Sequence, residues 1–258
     1  MVVSPNIESA APESSSHLTQ NVQISIQEAT DLCKDALQKA GYSNDQAATI
    51  TDHLVDARFR GHPFAGLARA LSIIEHLKNT EIQANKEIRV TRSGAAYAHL
   101  DGHNSVGYLV ARQETQIAIE KAKSAGVSVV GANGLWYTGN FAYYAEMATR
   151  EDLVIFIALN GCRIVAPHGG CEPKFCTNPF CIGFPTSNRG KPAIWDIGTS
   201  NIMYAQVKLA ERLGVDLREG AAYDSEGRPT KNPFDVFQGA LTAWGDIKVL
   251  ALLLWSSS

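Results

Sequence analysis

The chain has no long hydrophobic run. Its best candidates, Leu153–Leu159 and Val249–Trp255, fall well short of the ~18 apolar residues a membrane span requires. It also has no excess of basic charge: 23 Lys and Arg against 26 Asp and Glu leave a formal charge of −3. No global field is therefore available to hold a nucleic-acid backbone or an anionic membrane. Cysteines are few and odd in number, Cys33, Cys162, Cys171, Cys176 and Cys181, so a disulfide scaffold is not expected. Met1 to Asn21 lacks the basic start and apolar centre of a secretory signal, and without Arg or Lys it is no mitochondrial transit peptide either. A reducing cytosol is the expected compartment. The familiar chemical signatures are missing too: GxGxxG after a strand, GxxxxGK[ST], GxSxG and HExxH.

What is present is the composition of a folded protein, 45% hydrophobic and 19% charged in 258 residues. Residues 1–22, rich in Ser, Pro and Ala, read as a disordered leader. Ser25 and Glu28 form a capping box, and Ala29, Leu32, Cys33, Ala36 and Leu37 follow helical spacing up to Gly41. Ser43 and Gln46 repeat the box ahead of a helix to about Arg60, and Gly61-His62-Pro63 breaks it. A third helix is predicted with Leu67, Leu71, Ile74 and Leu77 on one face. Residues 23–80 thus form a predicted helical domain.

From Ile88 the pattern alternates. Ile88–Thr91, Ala95–Leu100, Val127–Val130, Leu153–Leu159, Phe180–Phe184 and Ala193–Ile197 read as strands. Val106–Ala125, Asn140–Arg150 and Thr199–Leu213 read as helices, the last with Ser200 near its cap. Strands alternating with helices predict an α/β domain over 81–248, and 249–258 reads as an aberrant apolar tail.

His168 with Cys162, Cys171, Cys176 and Cys181 invites a metal reading. The cysteine gaps are too wide for CxxC pairs, so buried free thiols and no metal site are expected. The segment from Asn160 to Pro179 is dense in Gly, Pro, Thr and Asn and lies between two apolar strands. A loop of this kind on an α/β scaffold builds either a ligand site or an inert surface turn.

Its residues Val165-Ala166-Pro167-His168-Gly169-Gly170, Glu172-Pro173 and Thr177-Asn178-Pro179 resemble the APxGG…EP…GTNP signature of the malate/L-lactate dehydrogenase family. Further segments match in the family's order. Leu54 to Arg69 resembles RGxxSHGxxR, Asp101-Gly102 with Gly107 resembles DGxxxxG, and Gly139 with Tyr143-Tyr144-Ala145 resembles NHFGxxxYYA. Asp196 to Ser200 resembles DMATS, Asp224 to Pro229 resembles DxxGxP, and Gly239 to Lys248 resembles GALLPFGGHKG. The resemblance covers about residues 25 to 248.

It implies the family's NAD(P)-binding sheet domain beside an N-terminal helical domain. It also implies hydride transfer between NAD or NADP and a small 2-oxo, 2-hydroxy or cyclic imino carboxylic acid, in a homodimer that uses neither nucleic acid nor membrane. Arg69 matches the arginine that engages the substrate carboxylate, with Thr177 and Tyr204 as further substrate contacts. Tyr137, Thr138, Gly139, Asn178, Trp195, Asp196, Ile197, Gly245 and Asp246 match cofactor-binding positions. Three departures stand out: Phe64-Ala65 replaces the Ser-His pair, Tyr137 replaces the NHFG histidine, and Gln206 stands where a charged residue is usual. Tyr137 and His62 are then the candidate proton handlers. The alternative is a family member that has lost its chemistry and serves as a binding protein. Family chains continue beyond Lys248 with helices that complete the helical domain and the dimer, so the chain is expected to be truncated.

Overall fold

A computed structural model describes residues 23–188 and 190–245. The expected leader, the apolar tail and Asp246 lie outside them.

Three helices come first: α1 (Ile26–Lys39), α2 (Asn44–Phe59) and, after a 3-10 turn at Pro63–Ala65, α3 (Ala68–Thr80). Both predicted capping boxes form. Ser25 accepts from the backbone N–H of Glu28, and Ser43 from that of Gln46, each glutamate or glutamine side chain reciprocating. Each cap contributes about 1 kcal/mol by satisfying end groups the helix itself cannot. The apolar face of α3 is buried only in part. The helix buries Arg69, Ala70, Ser72, Ile73 and Leu77 and leaves Leu71 54% exposed. It packs on α1 and α2 through Ile73 and Leu77, while Ser72 accepts from Arg212 on a later helix, so the buried stripe is turned toward two neighbours.

The sheet region begins with β1 (Arg89–Ser93), β2 (Tyr97–Val106), α4 (Gly107–Ala125) and β3 (Val129–Trp136). β1 pairs antiparallel with β2, and β3 pairs parallel with β2 from Tyr97↔Val129 to Val106↔Trp136. The parallel pair needs a crossover, and α4 supplies it. β3 runs six residues past the predicted Val130 because β2 offers it a partner over that length. Then come α5 (Phe141–Thr149), β4 (Ile155–Ala158), β5 (Phe180–Phe184) and β6 (Ala193–Ile197), the three strands forming an antiparallel sheet in chain order.

α6 (Tyr204–Leu213), β7 (Ala222–Tyr223), β8 (Pro229–Thr230), α7 (Pro233–Val236) and β9 (Ala240–Leu241) complete the described chain, with the strands ordered β8-β7-β9. The predicted start of α6 at Thr199, with Ser200 near its cap, fails. Thr199 bonds back to Thr177, Ser200 bridges to Ala243, and Met203 is the cap. The predicted α/β class stands.

Three apolar clusters hold these parts. One joins α1, α2 and α3 to Val106 and Tyr108 at the start of α4. A second sets Phe141, Tyr144 and Ala145 of α5 against Cys181 of β5. The third gathers Val165, Val207, Ala222, Val236 and Leu241. The helical region and the sheet region thus share a core at Val106 and Tyr108. Among the described residues no helix is long and apolar enough to cross a membrane.

Candidate active site

Arg69 is the centre of the site. It sits in the first turn of α3, 9% exposed, where helical spacing turns it away from solvent. Its guanidinium carbon lies 3.7 Å from the centre of the Tyr137 ring, and its charge acts on the Tyr108 phenol, opposing the rise that burial causes there. Its Nη1 is buried and meets no acceptor. Such an unpartnered donor costs about 1–3 kcal/mol, while cation–π contact returns about 0.5–2 kcal/mol. The guanidinium is therefore held by aromatic faces with one donor left for an anion.

Tyr137 belongs to a tight connection between β3 and α5. Its φ is +54°, a left-handed backbone that a bulky residue adopts only when its surroundings impose it. The surroundings are visible. The Tyr144 hydroxyl donates to the Thr138 carbonyl at 2.7 Å, and the Asn140 N–H donates to His53 Nε2 at 2.9 Å. Gly139 has φ +76°, and a Cβ there would collide with His53 and Tyr108, so the connection needs a glycine.

His53 is buried among the rings of Tyr108, Tyr143 and Tyr144, at 4.7, 4.6 and 5.2 Å. Burial first, and the Arg60 cation second, push its pKa down to about 3. It is a neutral acceptor that pins the turn.

Tyr204 opens α6 beside the same cluster. Burial raises its phenol, Tyr137 and Cys162 add to the shift, and Arg69 opposes it. Its ring stands edge-on to Phe237 at 5.9 Å. Thr177 is buried, and its carbonyl accepts from both the N–H and the hydroxyl of Thr199 at 2.8 Å. This fastens the 160–179 loop to the chain beyond β6. Asn178 is buried with φ +30°.

The remaining candidates are placed differently. His62 is exposed at the head of the 3-10 turn, with its ring 5.6 Å from Phe64, and no contact joins it to Arg69 or Tyr137. Asp196 accepts from the Ala142 N–H at 2.8 Å at the head of α5, and burial pushes its carboxyl up to about 6. Trp195 is 58% exposed, edge-on to Phe180. Ile197 ends β6 opposite Phe180. Gly245 closes the described chain, with φ +72°. Gln206 does not stand in for a charge: its side-chain oxygen accepts from the Met203 N–H at 2.7 Å and caps α6.

Sequence reasoning missed His76. It lies two turns beyond Arg69 on α3, stacked 4.1 Å from Trp136 and 5.6 Å from Tyr137. Burial and the Arg69 cation lower its pKa. Its i, i+7 spacing from Arg69 was the available signal. The cysteines also differ from expectation. All five are unpaired, but Cys162 and Cys171 are exposed, because both lie in the 160–179 loop away from the strand cores. Among the described residues, no group of three or more His, Cys, Asp or Glu could hold a metal ion.

The residues present fit an anionic, amide-bearing cofactor and an acid substrate. Arg69 Nη1 and Asn140 Nδ2 are buried donors without acceptors at the two ends of the Tyr137–Asn140 turn. A carboxylate, phosphate or carboxamide oxygen would satisfy either one.

The comparisons agree. L-sulfolactate dehydrogenase from Methanothermobacter thermautotrophicus is 31% identical over 231 residues, covering 90% of this chain and 67% of that relative. Malate dehydrogenase from Pyrococcus horikoshii is 33% identical over 203 residues, 79% of this chain and 56% of the relative. The chain thus spans between 56% and 67% of the length of these two curated relatives. The crystal structure of delta1-piperideine-2-carboxylate reductase from Pseudomonas syringae pvar. tomato superposes with a TM-score of 0.80 at 27% identity, covering 92% of this chain and 71% of that one. The model of the family described as malate/L-lactate dehydrogenase matches residues 24–256, and the chain belongs to that family of dehydrogenases.

Proposed function

We propose that the protein is an NAD(P)-dependent oxidoreductase acting on a small 2-oxo or 2-hydroxy carboxylic acid, or on a cyclic imino acid of the same size. One observation carries this reading: the buried Arg69 guanidinium, sandwiched against Tyr137, with Nη1 unpartnered. A planar guanidinium grips a carboxylate at two points and fixes the carbon next to it. Tyr137 covers that cation and holds the proton for the substrate oxygen or imine nitrogen. Thr177 and Tyr204 flank the acid on the loop side. Thr138, Gly139, Asn178 and Ile197 form the cofactor side, with Trp195, Asp196 and Gly245 at its edge. A nicotinamide held there would supply the hydride in reduction and accept it in oxidation. In reduction the substrate's C2 gains the hydride and its heteroatom gains the proton from Tyr137, so C=O becomes CH–OH, or C=N becomes CH–NH. The Tyr137 ring over the guanidinium and its burial exclude water from it, which strengthens its pull on the carboxylate.

The loss-of-chemistry alternative gains nothing from the site, since an anion-gripping cation and an acid stand together there. The five unpaired thiols suit a reducing cytosol. Exposed Phe156, Phe184 and Trp195 on the antiparallel sheet suit a homodimer, which sizing would test. The activity is tested by titrating the protein with NADH and with NADPH, followed by turnover on pyruvate, oxaloacetate, ureidoglycolate and piperideine-2-carboxylate. Binding of one cofactor and turnover of one acid are expected. Failure of both cofactors to bind at millimolar concentration overturns the reading.

A further inference from the structure

Cys162 and Cys176 face each other across the 160–179 loop. The chain leaves β4, passes Cys162, pairs Val165 with Phe175, and returns through Cys176 to Thr177. Ile164 and Val165 both donate to the Phe175 carbonyl at 2.7 Å, which holds the two arms together. The two thiols are close enough to shift each other's protonation in opposite directions, Cys162 upward and Cys176 downward. The backbone at Gly161 comes so close that a Cβ there would lie 3.0 Å from Cys176 Sγ. The other three cysteines take no part in this pair: Cys33 lies in α1, Cys181 in β5, and Cys171 beside Gly227.

The two sulfurs are not equivalent. Cys176 is buried, and its sulfur is within 3.8 Å of the Thr177 hydroxyl. The Cys162 thiol and the backbone N–H groups of Thr177 and Asn178 point donors at it, and together they bring it down to about 6 against the opposing effect of burial. Cys162 is exposed at the loop surface, and the neighbouring Cys176 sulfur keeps its proton in place. One sulfur is thus a thiolate in waiting, and the other is a protonated, accessible partner. That asymmetry is the arrangement of a peroxide-reactive cysteine with its resolving cysteine.

We propose that Cys162 and Cys176 form an oxidisable dithiol that closes to a disulfide under hydrogen peroxide. In the first step the Cys176 thiolate attacks one peroxide oxygen. The S–O bond forms as the O–O bond breaks, a proton from solvent completes the departing water, and the sulfur becomes a sulfenic acid. In the second step the Cys162 sulfur attacks the Cys176 sulfur, the S–S bond forms, the S–O bond breaks, and the Cys162 proton leaves with the oxygen as water. Two thiols and one peroxide give one disulfide and two waters. A dithiol reductant reverses the change. The paired arms at Val165 and Phe175, and the approach of Gly161 to the Cys176 sulfur, bring the two cysteines to the short range over which a ~2.0 Å disulfide closes. The bond forms at the rim of the candidate site, one residue before Thr177 and close enough to Tyr204 for Cys162 to perturb its phenol. Its effect on turnover rests on the oxidoreductase reading, whereas the linkage itself does not.

The test treats the full chain with hydrogen peroxide, blocks remaining thiols with an alkylating agent and maps the peptides by mass spectrometry. A dithiothreitol-reversible link between the Cys162 and Cys176 peptides is expected, with Cys33, Cys171 and Cys181 still alkylated. In C162S the sulfenic acid has no resolving partner, so dimedone should label Cys176. In C176S the link and the dimedone label should both be absent. Peroxide-resistant thiols, or oxidation falling on Cys171 or on Cys162 in preference to the pair, would overturn the proposal. The mapping needs no cofactor or substrate, so a failure of the oxidoreductase reading leaves its outcome interpretable.

Discussion

Replacing Arg69 by methionine separates a substrate-binding arginine from a structural one. The side chain is buried, so the variant keeps most of its volume while losing charge and all donors. A charged hydrogen bond contributes about 1.5–3 kcal/mol, and a two-point grip on a carboxylate makes two. At ~1.4 kcal/mol per factor of ten, the loss of 3–6 kcal/mol lowers kcat/KM by about 10²–10⁴. Stability should respond very differently. Methionine removes the buried Nη1 that meets no acceptor, which relieves about 1–3 kcal/mol, and forfeits the contact with Tyr137, which loses about 0.5–2 kcal/mol. These oppose each other, so the melting temperature should move by only a few degrees. Steady-state kinetics and a thermal melt on the same preparation decide the matter. A variant that melts more than ~10 °C lower while its folded fraction turns over normally would show that Arg69 is structural.

Tyr137→Phe keeps the ring beneath Arg69 and removes the hydroxyl. We expect kcat to fall by about 10²–10⁴ with KM little changed, and an unaltered kcat would exclude Tyr137 as the acid. His53→Gln tests the neutral imidazole. Its folded pKa, about 3, lies below the unfolded 6.5, so the folded state binds fewer protons and stability is lost as pH falls from 6.5 toward 3. Relative to the variant, the parent chain should lose about 1 kcal/mol between pH 6.5 and 5.5, and identical pH slopes in chemical melts would refute this. Glu114→Gln runs the other way. Burial raises that carboxyl to about 7, so its penalty grows as pH rises from 4.5 through 7. The variant should be stabilised more at pH 8 than at pH 5, and equal effects at both would contradict the burial argument.

What was legible in the sequence was what local chemistry decides. Ser25 and Ser43 with their glutamate and glutamine partners fixed the starts of α1 and α2, and alternating apolar residues fixed β5 and β6 to the residue. What long-range partners decide was not. Ser200 looks like a helix cap, but its backbone is taken up in a bridge to Ala243, forty-three residues on, and the helix begins at Tyr204 instead. The buried stripe of α3 was not legible either, because a helix between two neighbours buries a wider stripe than a single apolar period marks. In the site, Arg69 was legible from its motif, but the orphaned Nη1 and the Tyr137 ring over it belong to three dimensions. His76 was overlooked because it follows no motif and reaches the site only through the geometry of α3.

The departures from the family's pattern make physical sense as a set. Gln206 spends its side chain on the Met203 N–H, so the position contributes a helix cap and no charge. Phe64 lines the crevice between α3 and α6 beside Arg69 and puts a ring where the resembling motif has a serine hydroxyl. Tyr137 lays an aromatic face over the guanidinium itself. Phe64 and Tyr137 thus set ring surface beside Arg69, and a cation with fewer competing partners binds a carboxylate more strongly. The departures at Ala65 and Tyr137 remove imidazoles, the groups that exchange protons most readily near neutrality. Proton transfer then falls to a phenol beside a fixed cation, with His76 set 5.6 Å from that ring and kept below its usual pKa. A neutral His76 can take up the proton that Tyr137 regains or releases, whereas a permanently charged one could not. Under the proposed function, the loss of the motif histidines relocates acid–base chemistry to α3 and to the turn after β3, and turnover surviving in Tyr137→Phe would exclude that relocation.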